Sequence, residues 1–319
     1  MATTRKANVT SGILFNYRTD DDTNKYTVVC QCGCNRKIEV GHGVKFNGLG
    51  IDGFIYPDHA PELIPYHGSS EPTYVGNECK DGEEKSIEME TVWMTNNALQ
   101  KARVLQYLVN AGYKPERDGS LHNRFGNGTE FKNCIYRKGV GLSEILQTMR
   151  AFDIQGVVST EDSCCGTHLN FSNDFIRHFG WKNYGRQNFE KIAQASIDVL
   201  ANDDRLTAIC FGRGCTYYAG LTAGGHTSAI NTSHLTERWA KDTRFEFRIM
   251  KLHTGIDQGG NRFFDGLDIW RGWCKTLQTA IEKGWSVDRI ATKCATYLQS
   301  RMEKMASEVD DEWIEWVTR

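Results

Sequence analysis

Five stretches of the chain place apolar and polar residues in a way that predicts β-strands. The clearest runs from Thr243 to Leu252, where Phe245, Phe247 and Ile249 fall on one face and Arg244, Glu246 and Arg248 on the other. Ser86 to Val92 repeats the pattern, with Ile87 and Met89 opposite Glu88 and Glu90. In Cys165 to Phe171, His168 and Asn170 share a face. Thr129 to Tyr136, carrying Glu130, is a fourth strand, and Thr207 to Phe211, leading to Arg213, a fifth.

Between these stretches the apolar spacing becomes helical. Asn96 is placed to cap a helix carrying Ala98, Leu99, Ala102, Leu105, Leu108 and Val109, with Gly112 ending it. Ser143 opens a second through Leu146, Met149 and Phe152, closed by Gly156. Asp265 opens a third through Leu267, Trp270, Trp273 and Leu277, closing near Gly284. Ser286 begins a last long amphipathic helix. Helices with one apolar stripe need a partner, and a sheet with alternating faces supplies it. The expected fold is therefore α+β, with helices on one face of a sheet and polar strand residues on the other.

Residues 1–70 differ in texture, being rich in Cys, His, Gly and Pro with only short apolar runs. They read as a small Cys/His-rich subdomain ahead of a larger domain over 71–319. The 319 residues can hold one large domain or two unequal ones. A net charge of -2 gives no bulk electrostatic footprint for nucleic acid or an anionic membrane, so neither is an expected partner. No apolar run approaches a membrane span, and Met1 to Asp22 lacks the apolar core of a secretory signal. Eleven cysteines in so long a chain read as mostly reduced thiols, which favours the cytoplasm.

If the strands share one sheet, its helix-free face displays Glu88, Glu90, Glu130, His168, Glu246 and Arg248. One such strand could be an ordinary solvated face. Several carboxylates gathered together raise one another's pKa unless cations neutralise them. Oxygen ligands with one imidazole suit Mg²⁺ or Mn²⁺ carrying substrate phosphates.

The order of these segments resembles the amidoligase family. Ile87-Glu88-Met89-Glu90-Thr91 is similar to its opening Glu-x-Glu strand, Asp118-Gly119-Ser120-Leu121 to its Asp-Gly-Ser-Leu element, and Glu130 to its strand glutamate. Cys165-Gly166-Thr167-His168-Leu169-Asn170 resembles its Cys-Gly-x-His-Val-His strand. Arg244-Phe245-Glu246-Phe247-Arg248 resembles its Glu-Phe-Arg strand, with Arg213 lying between the two. The resemblance implies a curved antiparallel sheet backed by helices, as in glutamine synthetase and glutamate–cysteine ligase. It also implies ATP-dependent joining of a carboxylate to an amine through an acylphosphate. By the same resemblance Glu88, Glu90, Glu130, His168 and Glu246 would hold two or three Mg²⁺ ions. Arg213, Arg248 and Asn170 would contact the nucleotide, and Asp118 is a candidate base.

Two departures bear on activity. The family's second histidine is Asn170 here. Tyr74 to Lys80, with Glu78, competes with Glu88 and Glu90 as the opening strand. A non-catalytic relative that binds a nucleotide, a peptide or another protein is therefore the alternative reading.

Cys30-Gln31-Cys32-Gly33-Cys34 forms a dense thiol knuckle, followed by His42, Tyr56-Pro57-Asp58-His59 and His67. Cys30, Cys32, Cys34 and His59 are the best set for a structural Zn²⁺, and reduced cysteines in a loop-rich subdomain are the other reading. Metal-ribbon segments ahead of this ligase fold occur in phage-encoded relatives. That resemblance implies a viral origin, residence in a host cytoplasm and a protein partner docking on this segment. Cys164 and Cys165 read as buried thiols, and the tryptophans as core. The sequence leaves the substrates and the oligomeric state open.

Overall fold

The computed structural model describes residues 23–66, 84–110, 113–133, 156–172, 183–215, 219–225, 227–233, 235, 244–253, 255 and 259–318. The Ser143 helix, Gly112, His67 and the Tyr74–Lys80 segment with Glu78 lie outside these residues.

The fold is mixed helix and sheet, and its centre is an antiparallel sheet. Seven strands take part: β5 (Glu84–Trp93), β6 (Lys114–Asn123), β7 (Gly126–Asn133), β8 (Val158–Ser159), β9 (Thr167–Ser172), β10 (Ile230–Asn231) and β11 (Arg244–Met250). The order across the sheet is β10-β11-β9-β5-β7-β6, with β8 pairing the end of β5. Four of the expected strands are therefore present, each with slightly different ends.

The fifth is a helix. Thr207 to Phe211 belongs to α3 (Asp204–Phe211), which follows α2 (Asn183–Asn202). Asp203 caps α3 by accepting from the Leu206 N–H at 2.8 Å, and Gly212, at φ 80°, ends it in the left-handed conformation. Those two flanking residues define a helix, and a short apolar run alone does not distinguish the two structures.

Two other helix starts also differ from expectation. Helix α1 (Ala98–Asn110) is capped by Asn97 rather than Asn96, since Asn97 Oδ1 accepts from the Gln100 N–H at 3.1 Å. Helix α4 (Gly259–Glu282) begins ahead of Asp265, because Phe263 already belongs to its buried stripe. Helix α5 (Val287–Ala306) starts at the expected cap, with Ser286 Oγ accepting from the Arg289 N–H, and α6 (Asp311–Val317) closes the described chain.

The helices pack on the face of the sheet that carries the aromatic residues. Trp270 of α4 stacks on Phe247 with ring centroids 3.8 Å apart, and Trp273 meets the same ring edge-on. Phe189 of α2 tilts against Phe245, which stacks on Phe171 of β9. The Trp273 indole N–H donates to Ser196 Oγ at 2.9 Å, so this dry interface leaves that donor satisfied. Trp270 and Trp273 are core residues, as their spacing suggests.

Two small hairpins precede the sheet: β1 (Val28–Val29) with β2 (Lys37–Ile38), and β3 (Val44–Gly48) with β4 (Ile51–Ile55). Two 3₁₀ turns, Pro57–His59 and Pro61–Leu63, come after them. This region docks on α1 through Gln106, whose side chain accepts from the Asn47 N–H and donates to the Asn47 carbonyl. Phe46, Ile55, Leu105 and Phe131 belong to one continuous buried cluster. Among the described residues, no helix is long and apolar enough to cross a membrane.

Candidate active site

Strand register brings the polar residues together. Because side chains alternate along a strand and directly paired residues share a face, pairing extends each polar row sideways across the sheet. Glu246 pairs with Asn170 and Asn231. Glu88 pairs with His168 on one side and Lys132 on the other. Glu90 pairs with Glu130, which pairs with Glu116. The opposite faces of the same strands carry Ile87, Met89, Leu169, Phe131 and Phe247, all fully buried. The core that orients the aromatics thus also aims the glutamates.

Glu88, Glu90, Glu116, Glu130, His168, Asn170, Glu246 and Arg248 are all buried. Glu246 accepts from Arg248 Nη1 at 2.8 Å and Asn231 Nδ2 at 2.7 Å. Glu88 accepts from Asn170 Nδ2 at 2.9 Å, which is what the asparagine does in place of the family's second histidine. His168 is ringed by carboxylates. Its Nδ1 lies 3.0 Å from Glu246 Oε1 and 3.9 Å from Glu88 Oε2, and its Nε2 lies 3.5 Å from Glu90 Oε1. Among the described residues, neither ring nitrogen is in hydrogen-bonding geometry with a neighbour.

Arg213 reaches the cluster from the loop after α3. Gly166, at the head of β9, is what admits it. A Cβ there would collide with Arg213 Nη1 and would sit 3.0 Å from Glu90 Oε2 and 3.2 Å from His168 Nε2. Next to it, Cys165 is buried and Cys164 only partly so. Asp118 lies on β6 where the register slips between Arg117 and His122. Its Oδ1 accepts from both the N–H and the hydroxyl of Ser120, at 2.8 Å each, so that oxygen holds a turn.

Two residues of the cluster are ones that the sequence pattern did not single out. Lys132 Nζ lies 3.2 Å from Glu116, 3.3 Å from Glu130 and 3.8 Å from Glu88. Lys132 could have been found, because it comes two positions after Glu130 in an expected strand. Glu116 could not, since β6 is an edge strand with no apolar alternation around it.

Charge balance decides what the cluster can hold. Counted over the described residues, five glutamates face three permanent cations, Lys132, Arg213 and Arg248, a balance of minus two with His168 neutral. Burial would raise Glu88 and Glu246, but Lys132 and His168 outweigh it at Glu88, as Arg248 and His168 do at Glu246, so both carboxyls stay depressed. Burial would likewise lower Lys132 and His168. The surrounding carboxylates reverse this, raising Lys132 and bringing His168 to about 9.

The donor set fits a hard divalent cation. Ligand atoms of Glu88, His168 and Glu246 lie within 4.8 Å of one another, and so do those of Glu90, Glu130 and His168. Both trios use His168, and a neutral imidazole coordinates through one nitrogen while the other donates its proton. Ahead of the sheet in the chain, Cys30, Cys32, Cys34 and His59 also converge, within the same limit.

No family model matches the chain, and no curated protein matches it. Among solved structures, one titled "Apo GmaS without ligand" aligns over 73% of this chain and 72% of that chain, at 10% identity and a TM-score of 0.30. A likeness that low carries no argument about what this chain does.

The charge balance has two measurable outcomes. In protein dialysed free of magnesium, His168 stabilises the fold fully below about pH 6.5, and this contribution is lost as pH rises through about 9. The melting temperature should therefore fall across that window in the wild type and not in a His168→Gln variant; parallel profiles would contradict the assignment. Lys132→Met should cost about 3–5 kcal/mol in urea unfolding without divalent ions, with Mn²⁺ restoring part of it. An unchanged urea midpoint would show that the lysine is not needed to balance the carboxylates.

Proposed function

We propose that the chain is a carboxylate–amine ligase that uses ATP with Mg²⁺ or Mn²⁺. The observation that carries this reading is the cluster itself: five buried glutamates, one histidine and three cations on one face of an antiparallel sheet, opposite the aromatic core. Buried carboxylates gathered only for structure would gain stability from apolar replacement, whereas a site for metal and triphosphate requires them.

On this reading Glu88, Glu90, Glu130, His168 and Glu246 hold the divalent ions. Divalent ions held there would screen the charge of the triphosphate, which lets a carboxylate approach it. Arg213 and Arg248 would offer guanidinium forks to the γ-phosphoryl oxygens and stabilise the charge that spreads during transfer. Lys132 acts as a fixed cation on the β6 side and reduces the number of metal ions the face must take up. A substrate carboxylate oxygen attacks the γ-phosphorus, ADP departs, and an acylphosphate forms. The amine then attacks the acyl carbon, phosphate leaves and the amine's proton passes to a base. Asp118 would accept it on Oδ2, because Oδ1 is held by Ser120.

A second reading keeps the nucleotide and discards the turnover. The position of Lys132 among Glu88, Glu116 and Glu130 favours it, since an ammonium there takes space and charge that a catalytic ion would otherwise fill. The N-terminal region would then serve as a docking module for a protein partner.

The two readings part in one assay. Protein incubated with Mg²⁺, ATP and a pool of amino acids and peptides should release ADP and phosphate. Glu246→Gln should reduce that release by roughly 100-fold or more while leaving the circular dichroism spectrum unchanged. Nucleotide binding without release, across a broad pool, would favour the binding protein and overturn the ligase.

A further inference from the structure

The thiol knuckle near the N-terminus is separate from the glutamate cluster, and its geometry is unusual for free thiols. His59 Nδ1 lies 3.1 Å from Cys32 Sγ, 3.5 Å from Cys30 Sγ and 3.8 Å from Cys34 Sγ, while Cys30 and Cys32 approach each other at 3.3 Å. An unprotonated imidazole nitrogen has one lone pair and satisfies one S–H donor. Even with Cys30 donating to the Cys32 sulfur, three sulfurs crowd one nitrogen that can satisfy only one of them. A cation at their centre resolves the crowding, because it binds all four atoms at once. Tetrahedral zinc, with Zn–S near 2.3 Å and Zn–N near 2.0–2.1 Å, sets its ligand atoms roughly 3.5–3.8 Å apart, close to the spacing here.

The backbone is shaped for the same purpose. Gly33 and Asn35 take left-handed conformations that curl the knuckle. The Arg36 N–H faces the Cys34 sulfur and lowers that thiol, whereas burial and the neighbouring thiols push Cys32 up to about 11 despite the Cys34 N–H beside it. Cys30 is held in the core with its N–H donating to the Arg36 carbonyl. His59 arrives on a 3₁₀ turn whose Tyr56 hydroxyl bonds to the Lys37 carbonyl and whose Tyr56 ring lies under Arg36.

The segment after His59 links the knuckle to the sheet. The chain passes through buried Ile64 to Pro65, whose carbonyl accepts the Arg117 N–H at 2.7 Å. Tyr66 bridges Arg117 in parallel fashion, and the Arg117 guanidinium lies on the Tyr66 ring at 4.3 Å. Arg117 is next to Glu116, a member of the glutamate cluster. We infer that Cys30, Cys32, Cys34 and His59 Nδ1 bind one structural Zn²⁺, and that this ion pins the Pro57–Tyr66 strap along the outer edge of β6 beside Glu116. The ion closes a long loop between the β1–β2 hairpin, which has only two residue pairs, and the strap.

Cobalt separates this site from the glutamate cluster, since only sulfur ligands give thiolate-to-cobalt charge transfer. The full chain should carry about one zinc, and Co²⁺ in its place should show tetrahedral d–d bands with that charge transfer. Cys34→Ser should weaken the charge-transfer band, whereas His59→Cys, which supplies a fourth thiolate, should keep tetrahedral bands and strengthen it. An octahedral spectrum in the wild type, or an identical one in Cys34→Ser, would overturn the site. Stripping the zinc should speed amide exchange at Arg117 by about tenfold or more and leave Phe245 and Phe247 unchanged. Equal protection of Arg117 with and without zinc would overturn the strap.

Discussion

A sheet face holding five buried carboxylates stands only if cations stand with them. That constraint governs most of the molecule. The protein supplies three of the cations from separate places: Lys132 from β7, Arg248 from β11 and Arg213 from the loop after α3. The shortfall that remains is about the charge of one divalent ion if His168 is neutral. Protonating His168 covers half of that shortfall when no metal is bound. His168 and a metal ion are thus competing answers to the same deficit.

The opposite face explains why the carboxylates stay fixed. Glu88, Glu90, Glu130 and Glu246 each have a fully buried apolar residue one position away on the strand, and the neighbours of Glu246, Phe245 and Phe247, pack against Phe189, Trp270 and Trp273 of the helical layer. A shift of β11 by one residue would send Glu246 into the tryptophans and Phe247 into the acidic face. Packing energy on one side therefore holds geometry on the other. At the β6 edge, α1 packs beside the strand and the Pro57–Tyr66 strap lies along its outer side.

Much of this was legible because strands with one buried face write their geometry into every second residue. Phe245, Glu246, Phe247 and Arg248 announce both faces, and so do Ile87 to Glu90. Glu116 was not legible, because an edge strand with a register slip and a Pro-Glu-Arg-Asp-Gly run carries no alternation. Arg213 sits on a loop whose path depends on Gly166 and on α3, neither of which a local pattern shows. The run from Thr207 to Phe211 fits a strand as well as a helix, since five apolar-rich residues suit either period, and Asp203 and Gly212 at its ends decide for the helix. The Cys30–Cys34 knuckle named three ligands by spacing, and His59 came from the turn after β4.

The central claim is that the acidic face takes up divalent ions together with a triphosphate. A crystal structure with Mn²⁺ and a non-hydrolysable ATP analogue tests it most directly, through anomalous scattering from manganese. The account predicts manganese peaks among Glu88, Glu90, Glu130, His168 and Glu246, with the γ-phosphate between Arg213 and Arg248. Nucleotide bound elsewhere, or a face with His168 still surrounded by carboxylates and no manganese at saturating concentration, would contradict it.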